Sequence, residues 1–277
     1  MTFREVLSEA TAQLEKSHIS EAQSDAWLLM EFVWKLNRNY YFMHSDDIIE
    51  DSDKERYLSL ISRRIEHIPV QLLTNRAYFM GHEFYVNEDV LIPRLDTEVL
   101  IEAVLPMIQM NDHVLDMCTG SGCIIISLLL EAGVDIKGTG VDISKGALAV
   151  AKRNATVLGT DVDFIESDLF INVKGRYDII VSNPPYIRSA VVADLMPEVS
   201  DHEPLLALDG KADGLYFYRE IIAKSHNFLT DKGYLAFEIG YDQGDELIAL
   251  MNDSNYQDIK VIKDLAGLDR VVVGQRR

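Results

Sequence analysis

A short apolar run, a glycine turn and a longer apolar run follow one another between residues 114 and 130, and this order constrains the fold more than any other feature. Residues 114–117 predict a buried strand, and residues 123–130 predict a helix. The turn between them consists of Cys118, Thr119, Gly120, Ser121 and Gly122. Glycines let the backbone approach a ligand closely, and a helix amino terminus offers free N–H groups to a carboxylate or a phosphate. We therefore expect an α/β sheet that carries a nucleotide-type loop.

Strands and helices alternate through the rest of the chain after the glycine turn. The predicted segments lie at residues 136–142, 144–159, 164–170, 177–182, 233–238 and 270–273. The second of these is a helix and the others are strands. This alternation predicts a Rossmann-like, doubly wound α/β sheet.

The first part of the chain has a different pattern. Residues 1–73 lack strand alternation, and their apolar residues recur at helical spacing, so we expect a small helical domain. Residues 74–95 contain an aromatic stretch around Gly81 that predicts a β-hairpin, which we interpret as a connector. Residues 96–277 then form the sheet domain. The helical domain carries no evident chemical motif, and our hypothesis is that it holds a partner.

Acidic and aromatic residues stand where the predicted strands end, and the ligands of such sheets bind beyond these ends. A dinucleotide-binding loop would have a third glycine at the position of Ile125. Asp116 instead suits a ligand with an ammonium group, and Asp142 can accept hydrogen bonds from both hydroxyls of a ribose. Phe170 is placed to flank an adenine, and Asp168 to accept from its amino group. Together these residues favour S-adenosylmethionine as the cofactor.

Asn183, Pro184, Pro185 and Tyr186 follow the strand predicted at residues 177–182 and point to a substrate. A carboxamide nitrogen is a poor nucleophile because its lone pair is delocalised. A site that activates it must accept both of its hydrogens, which the Asn183 side-chain carbonyl and the Pro184 backbone carbonyl can do. The Tyr186 ring can stack on the planar group and exclude water. The alternative is an ordinary turn after a strand, since Asn-Pro and Pro-Pro are common there.

The chain resembles Class I methyltransferases and, among them, the N5-glutamine methyltransferases of peptide chain release factors. The glycine turn and the Asn-Pro-Pro-Tyr motif carry this resemblance together with shorter segments. These are residues 92–94, Thr97 and Glu98, residues 202–204, 207–208 and 213–215, and the ending formed by residues 264–267 with Asp269 and Arg270. Two positions depart from the family pattern, since Cys118 and Lys211 stand where glycine is usual.

The resemblance implies roles for the two motifs. Residues 118–122, Asp142, Phe170 and Asn183 would bind S-adenosylmethionine, and residues 183–186 would hold the acceptor glutamine of a class I release factor. Methyl transfer would leave S-adenosylhomocysteine. Two other acceptors stay open, namely a glutamine of a ribosomal protein and the adenine N6 amine of nucleic acid, which the same motif serves. A cofactor-binding regulator without catalysis is a further alternative.

Charge and composition narrow the choice of partners. The formal net charge of −19 at pH 7 disfavours stable nucleic-acid binding and favours a neutral or basic protein partner. The seven histidines are scattered and there are only two cysteines, so we expect no metal site. No apolar run reaches the ~18 residues that span a membrane, so we expect a cytoplasmic protein without membrane contacts.

Residues 189–208 form the longest segment without a pattern of regular structure, and they directly follow the Asn-Pro-Pro-Tyr motif. The sequence predicts neither a helix nor a strand for them. A flexible lid over the site and a tethered surface loop are both consistent with this segment.

Overall fold

The computed structural model describes residues 1–277 and divides into two compact units. The first unit comprises residues 1–76 and 196–202, and the second comprises residues 77–195 and 203–277. None of the helices combines the length and the apolar character that crossing a bilayer requires.

Five helices build most of the first unit. They are α1 (Phe3–Lys16), α2 (Ala22–Trp34), α3 (Arg38–His44), α4 (Asp51–Ile65) and α5 (Val70–Thr74). A capping box starts α1, because the Thr2 hydroxyl accepts from the Glu5 backbone N–H while the Glu5 carboxylate accepts from the Thr2 N–H. Each long helix buries one apolar stripe, and residues such as Val6, Leu29 and Ile61 form a common core.

A β-hairpin follows the helices. Its strands are β1 (Arg76–Phe79) and β2 (His82–Tyr85). The two residues between them, Met80 and Gly81, have φ angles of +49° and +75°. Two successive positive φ angles match the twist of paired strands in a two-residue turn. The hairpin predicted around Gly81 is therefore confirmed.

A seven-stranded sheet forms the centre of the second unit. Its strands are β3 (His113–Met117), β4 (Lys137–Asp142), β5 (Val162–Glu166), β6 (Tyr177–Ser182), β7 (Leu229–Glu238), β8 (Tyr256–Lys263) and β9 (Asp269–Arg276). They lie in the order β5-β4-β3-β6-β7-β9-β8. The first five strands in this order are parallel, whereas β9 is antiparallel to both β7 and β8. The predicted Rossmann-like fold is confirmed.

Helices cover both faces of the sheet. The helices that follow the hairpin in the chain, in both units, are α6 (Glu98–Val104), α7 (Cys123–Glu131), α8 (Lys145–Leu158), α9 (Ser189–Val192), α10 (Pro197–Ser200), α11 (Leu205–Leu208), α12 (Tyr216–Ser225) and α13 (Gly244–Asp253), with 3₁₀ turns at Leu95–Thr97 and Leu105–Met107. Neighbouring strand residues point to opposite faces. Val114 and Ile179 therefore join a core with α6 and α7, whereas Leu115 and Ile180 join another core with α12 and α13.

The strand order reverses between β3 and β6. The chain runs from β3 outward to β4 and β5, and then returns to place β6 on the other side of β3. At such a point the loops after the two central strands separate and leave a crevice. Residues 118–122 follow β3 and residues 183–186 follow β6. The fold therefore brings the two sequence motifs to the same edge of the sheet.

The expectation that residues 189–208 lack regular structure is wrong, because they contain α9, α10 and α11. Each of these helices has four residues, which is too short for an apolar repeat to be visible in the sequence. α10 belongs to the first unit. There Glu198 Oε1 accepts from Arg64 Nη2 at 3.0 Å and lies 3.0 Å from His67 Nδ1.

Candidate active site

A cavity of about 310 Å³ lies in the second unit at the crevice between the loops that follow β3 and β6. This volume falls within the ~300–1,000 Å³ that is usual for small-molecule sites. Seven of the predicted site residues line it, namely Cys118, Thr119, Gly120, Ser121, Asp142, Asn183 and Pro185. The other four, Gly122, Phe170, Pro184 and Tyr186, lie outside the cavity wall.

The loop after β3 owes its shape to left-handed backbone angles. The φ angles are +63° at Cys118, +54° at Gly120 and +79° at Gly122. A side chain built on Gly120 would meet no atom within 4 Å, so the bare backbone faces open space. One built on Gly122 would lie 2.9 Å from Ile126 Cδ1 and 3.2 Å from Ala151 Cβ. Gly120 thus leaves room for a ligand, whereas Gly122 lets the loop pack against α7 and α8.

Cys118 adopts the conformation that glycine would adopt more easily. A left-handed backbone costs an L residue about 1–2 kcal/mol. Cys118, which stands where the family usually has glycine, therefore keeps a glycine-like backbone angle and is locally strained. Burial raises the pKa of the thiol, which stays protonated at neutral pH.

Asp116 lies beneath the loop and is fully buried. Its Oδ2 accepts a hydrogen bond from the Thr119 hydroxyl at 2.5 Å, and its Oδ1 has no protein partner of regular hydrogen-bond geometry. Burial raises the pKa of Asp116 to about 7, although hydrogen bonds from Thr119 and from the Ile125 backbone oppose the rise. Asp116 does not line the cavity, and it acts on the site by holding Thr119, which does.

Asp142 ends β4 and connects the loop to the start of α8. Its Oδ2 accepts from the Gly120 N–H and its Oδ1 accepts from the Ser144 N–H, both at 2.9 Å. Burial raises its pKa, and these two backbone donors oppose the rise. A carboxylate oxygen has two lone pairs, so each oxygen keeps one for a ligand hydroxyl.

Phe170 lies in the core and not at the cavity. Its side chain is 5% exposed, and its ring stacks on Phe228 with 4.6 Å between the ring centroids. Leu169, with a φ of +47°, turns the chain at this point. The turn brings Asp168 and Leu169 to the cavity wall and directs Phe170 into the core. The structure therefore does not place Phe170 where the sequence predicts it.

Asn183 begins the segment after β6, and its side chain is fixed from one side. Its Nδ2 donates a hydrogen bond to the Thr97 hydroxyl oxygen at 3.3 Å. Thr97 is buried and also lines the cavity. With the amide nitrogen engaged in this way, the carbonyl oxygen Oδ1 is available to accept a hydrogen bond. Pro184 and Pro185, which are buried, stiffen the chain that follows.

Tyr186 is anchored at both its side chain and its backbone. Its hydroxyl donates to Glu238 Oε1 at 3.1 Å, and its carbonyl oxygen accepts from Gln243 Nε2 at 3.2 Å. A Cβ atom on Gly210 would lie 2.7 Å from the Tyr186 Cα, so only glycine permits this approach. Gln243 Nε2 also donates to the Gly214 carbonyl at 3.3 Å. These contacts hold residues 183–186 against residues 210–214.

Glu238, at the end of β7, is the buried acid of this network. Burial raises its pKa, and hydrogen bonds from Thr97 and Tyr186 together with the charge of Arg270 oppose the rise. Its Oε2 has no partner of regular hydrogen-bond geometry. Arg270 is itself held by Asp264 and Asp96, each at 3.0 Å.

A second ion pair joins two walls of the cavity. Arg94 Nη2 donates to Glu203 Oε2 at 2.6 Å, and the Glu203 side chain is 1% exposed. Arg94 lines the cavity on one side, and Pro204, Leu206 and Ala207 follow Glu203 on the other.

Four residues of the site have no role in the sequence-based prediction, namely Thr97, Glu203, Glu238 and Gln243. Glu238 ends a strand as Asp116 and Asp142 do, so the same rule about strand ends identifies it. Thr97 and Glu203 stand in segments that carry the family resemblance. Gln243 shows no signal in the sequence. No three metal-ligating side chains come together, and the absence of a metal from the reaction stays a prediction.

The fold and the crevice define a Rossmann-like methyltransferase domain. A methyltransferase from Pyrococcus furiosus has a similar fold, with a TM-score of 0.55 at 14% sequence identity over 78% of this chain and 98% of that one. The family profile described as "Methyltransferase small domain" matches residues 93–199, and the one described as "PrmC N-terminal domain" matches residues 5–74.

Full-length relatives identify the family more closely. A protein of Clostridium botulinum named "Release factor glutamine methyltransferase" is 38% identical over the whole of both chains. Proteins of the same name are 36% identical in Clostridium acetobutylicum, over 100% of this chain and 99% of that one, and in Bacillus cereus, over 99% of each. The chain belongs to the release factor glutamine methyltransferase family.

Proposed function

We propose that the protein transfers a methyl group from S-adenosylmethionine to the side-chain amide nitrogen, N5, of a glutamine in class I peptide chain release factors. The acceptor is the glutamine of their Gly-Gly-Gln motif. The observation that carries the proposal is the hydrogen bond from Asn183 Nδ2 to Thr97, because it leaves Oδ1 to accept from a substrate amide. The name shared by the full-length relatives supports the choice of substrate.

The shape and the lining of the cavity support S-adenosylmethionine as the cofactor. The space in front of Gly120 admits a ligand against the backbone, and Asp142 keeps acceptor capacity for two ribose hydroxyls. We expect Thr119 and Ser121 to lie beside the ligand, and Leu169 to take the place beside the adenine that the sequence assigns to Phe170. When bound, the cofactor supplies an electrophilic methyl group on a sulfonium.

The acceptor glutamine would lie between Asn183 and the backbone of Pro184. Asn183 Oδ1 and the Pro184 carbonyl each accept one hydrogen of the amide, which turns the nitrogen toward the methyl group. Tyr186 fixes the backbone of residues 183–186, because its hydroxyl donates to Glu238 and its carbonyl oxygen accepts from Gln243. The nitrogen becomes acidic only as its bond to the methyl carbon forms and the bond between that carbon and sulfur breaks, which leaves S-adenosylhomocysteine. Its proton therefore leaves late, to water or through Asn183 and the Pro184 carbonyl. Catalysis is then mainly positioning and polar preorganisation, without a separate general base.

The proposal extends to the rest of the chain. Residues 1–73 would bind the release factor, and residues 96–277 would methylate its glutamine. Residues 74–95 would connect these two domains. We also propose that the reaction uses no metal, that nucleic acid and membranes are not stable partners, and that the protein works in the cytoplasm. The net charge of −19 supports a protein substrate over a polyphosphate backbone.

Transfer of a radiolabelled methyl group tests the substrate. The protein is incubated with labelled S-adenosylmethionine and, separately, with a class I release factor, the same factor with its Gly-Gly-Gln glutamine replaced by alanine, ribosomal proteins, and DNA. We expect label only on the unaltered release factor. Label on a ribosomal protein or on DNA would show that the site methylates another acceptor. If none of the substrates is labelled, the result would favour a cofactor-binding regulator without catalysis.

A further inference from the structure

Asn154, on α8, joins the β-hairpin to the loop at residues 118–122. Its Oδ1 accepts from the Tyr85 N–H at 2.8 Å, and its Nδ2 donates to the carbonyl oxygens of Tyr85 and Ser121 at 3.0 and 2.9 Å. Asn154 is 2% exposed, so these three hydrogen bonds lie away from solvent. One side chain therefore binds two segments that are far apart in the chain.

The hairpin side of this contact leads directly into the cavity wall. Tyr85 is the last residue of β2, and Asn154 bonds both its N–H and its carbonyl, as a neighbouring strand would. The chain that follows Tyr85 supplies five residues to the cavity, namely Asp89, Val90, Leu91, Pro93 and Arg94. Asn154 therefore fixes the point from which this wall starts.

The loop side of the contact fixes one peptide group. Between Ser121 and Gly122, the carbonyl accepts from Asn154 and the Gly122 N–H donates to the Thr119 carbonyl at 2.8 Å. Ser121 lines the cavity and Asn154 does not, so this carbonyl is directed at the support of the loop. If the peptide rotated, the same oxygen would face the cavity and repel a ligand carboxylate, because both groups only accept hydrogen bonds.

The carboxamide of an asparagine matches the three backbone groups that face it. These groups are one donor and two acceptors, and a carboxamide offers one acceptor oxygen and two hydrogens. The donor at Tyr85 decides which end of the Asn154 amide holds the oxygen, so its NH2 must point to the two carbonyls. A serine has only one hydrogen to donate, and an ionised aspartate has none.

We propose that Asn154 is a positioning residue for the cofactor, which holds residues 118–122 and residues 89–94 at a fixed separation and so forms the cleft before the cofactor binds. The inference rests on the proposed function for the identity of the cofactor. It adds a residue that does not line the cavity and acts through the backbones of Tyr85 and Ser121.

A preformed cleft predicts that the loss of Asn154 lowers affinity and not turnover. Asn154→Ala removes all three hydrogen bonds, so the free protein would hold the binding arrangement for only part of the time. We expect S-adenosylmethionine and S-adenosylhomocysteine both to bind about 10-fold more weakly, as for an arrangement populated ~10% of the time. At saturating cofactor, kcat should stay within about threefold of the wild type, because residues 183–186 are unchanged. Titration calorimetry and the methyl-transfer assay measure the two quantities.

A second variant separates the hydrogen bonds of Asn154 from one another. Asn154→Asp keeps nearly the same shape and the oxygen that accepts from the Tyr85 N–H, and it replaces the NH2 with an oxygen. We expect this variant to bind the cofactor about as weakly as Asn154→Ala does, because the Ser121 carbonyl again has no NH2 to bind.

Ser225→Ala is the matched control for the loss of a buried hydrogen bond. Ser225 is 0% exposed, its hydroxyl donates to the Ile222 carbonyl at 2.9 Å, and it does not line the cavity. The control should lose stability in urea as Asn154→Ala does. It should still bind the cofactor within about twofold of the wild type, since the two sites are separate.

Hydrogen exchange of the cofactor-free protein tests the inference without a ligand. The amide hydrogens of Tyr85 and Gly122 should be protected in the wild type, because each is bonded within the protein. In Asn154→Ala both should exchange at least about 10-fold faster, because the closed arrangement is less populated. In Ser225→Ala neither should change relative to the amides of β7.

Four results would overturn the inference. They are a wild-type cofactor affinity in Asn154→Ala, a loss of kcat in that variant as large as its loss of affinity, an equal loss of affinity in Ser225→Ala, and wild-type amides of Tyr85 and Gly122 that exchange as fast as exposed ones. The last result needs no variant, so it decides the question even if Asn154→Ala does not fold. A wild-type protein that binds S-adenosylmethionine but labels no release factor would instead overturn the proposed function, and the affinities would still decide the role of Asn154.

Discussion

The two ends of the cavity are held by different means. Residues 118–122 keep their shape through left-handed backbone angles and through the Gly120 backbone N–H, which donates to Asp142. Residues 183–186 are held by buried side chains that are far away in the chain, since Thr97, Glu238 and Gln243 stand 86, 52 and 57 residues from their partners. The loop at residues 118–122, which we propose as the cofactor end, is therefore mainly a local structure. The loop at residues 183–186, which we propose as the acceptor end, is held by residues from distant parts of the domain.

The acceptor end should give the largest loss of turnover. Asn183→Ala removes the carbonyl that we propose accepts from the substrate amide, and we expect single-turnover methyl transfer to fall by ~10²- to 10³-fold, as for other preorganised polar groups. Rapid-quench measurement with labelled cofactor and release factor gives the rate. A rate of methyl transfer equal to that of the wild type would contradict the acceptor role proposed for Asn183.

The cofactor end should respond in affinity. Asp142→Ala removes the charged group that we propose accepts from the ribose hydroxyls and also releases the Gly120 N–H, so we expect about 1.5–3 kcal/mol weaker binding, or ~10- to 150-fold. Titration calorimetry with S-adenosylmethionine measures it. Asp242→Ala is the control, because that carboxylate is exposed and bonds Arg188 away from the cavity. Equal affinity in Asp142→Ala and the wild type would contradict the assignment.

Asp116, beneath the loop at residues 118–122, should make the stability of the folded protein depend on pH. Its pKa is about 7 in the folded protein and lower when unfolded, so the folded state holds an extra proton between these values. Stability from this group is therefore greatest at acidic pH and is lost as the pH rises toward 7, with a slope of up to about 1.4 kcal/mol per pH unit.

The variant Asp116→Asn lacks this titration. Urea unfolding of both proteins from pH 5 to 8 should show the variant gaining stability relative to the wild type as the pH rises. A difference that does not change with pH would mean that Asp116 titrates normally.

Cys118→Gly should give the smallest effect. Relief of the left-handed strain, about 1–2 kcal/mol, exceeds the 0.5–1 kcal/mol that glycine costs in backbone entropy. We expect the free energy of unfolding to rise by about 0.5–1 kcal/mol. Urea titration against Cys123→Ala, which changes the other cysteine without touching a left-handed residue, checks the sign. A destabilised Cys118→Gly would show that packing of the thiol outweighs the strain.

The difference between the two ends also explains what the sequence could predict. The strand, turn and helix around residues 118–122 are contiguous, so their roles follow from local pattern, and Asp142 follows from the rule that ligands bind beyond strand ends. The periodicity that predicts the sheet is likewise local. Phe170 shows where this reasoning fails, because a single left-handed residue, Leu169, exchanges which neighbour faces the cavity.

The support of the acceptor end could not be predicted in the same way. Thr97 precedes the first strand of the sheet and Gln243 follows β7, and only the order of the strands brings both to the crevice. Gln243 stands between two glycines in sequence, at Gly240 and Gly244, with nothing in its neighbours that marks it as buried. Contacts between residues so far apart in the chain depend on the order of the strands, which local sequence patterns do not specify.

The membership of α10 in the helical unit has a consequence for any attempt to separate the two units. The chain passes from one unit to the other three times, after residues 76, 195 and 202. Cutting away residues 1–73 alone would leave Glu198 without Arg64 and His67, in the middle of the segment that continues into the cavity wall at Pro204. The first unit is therefore built from two separate stretches of the chain. A shortened protein that is meant to show what they contribute to release-factor binding must therefore also have residues 196–202 replaced by a neutral bridge.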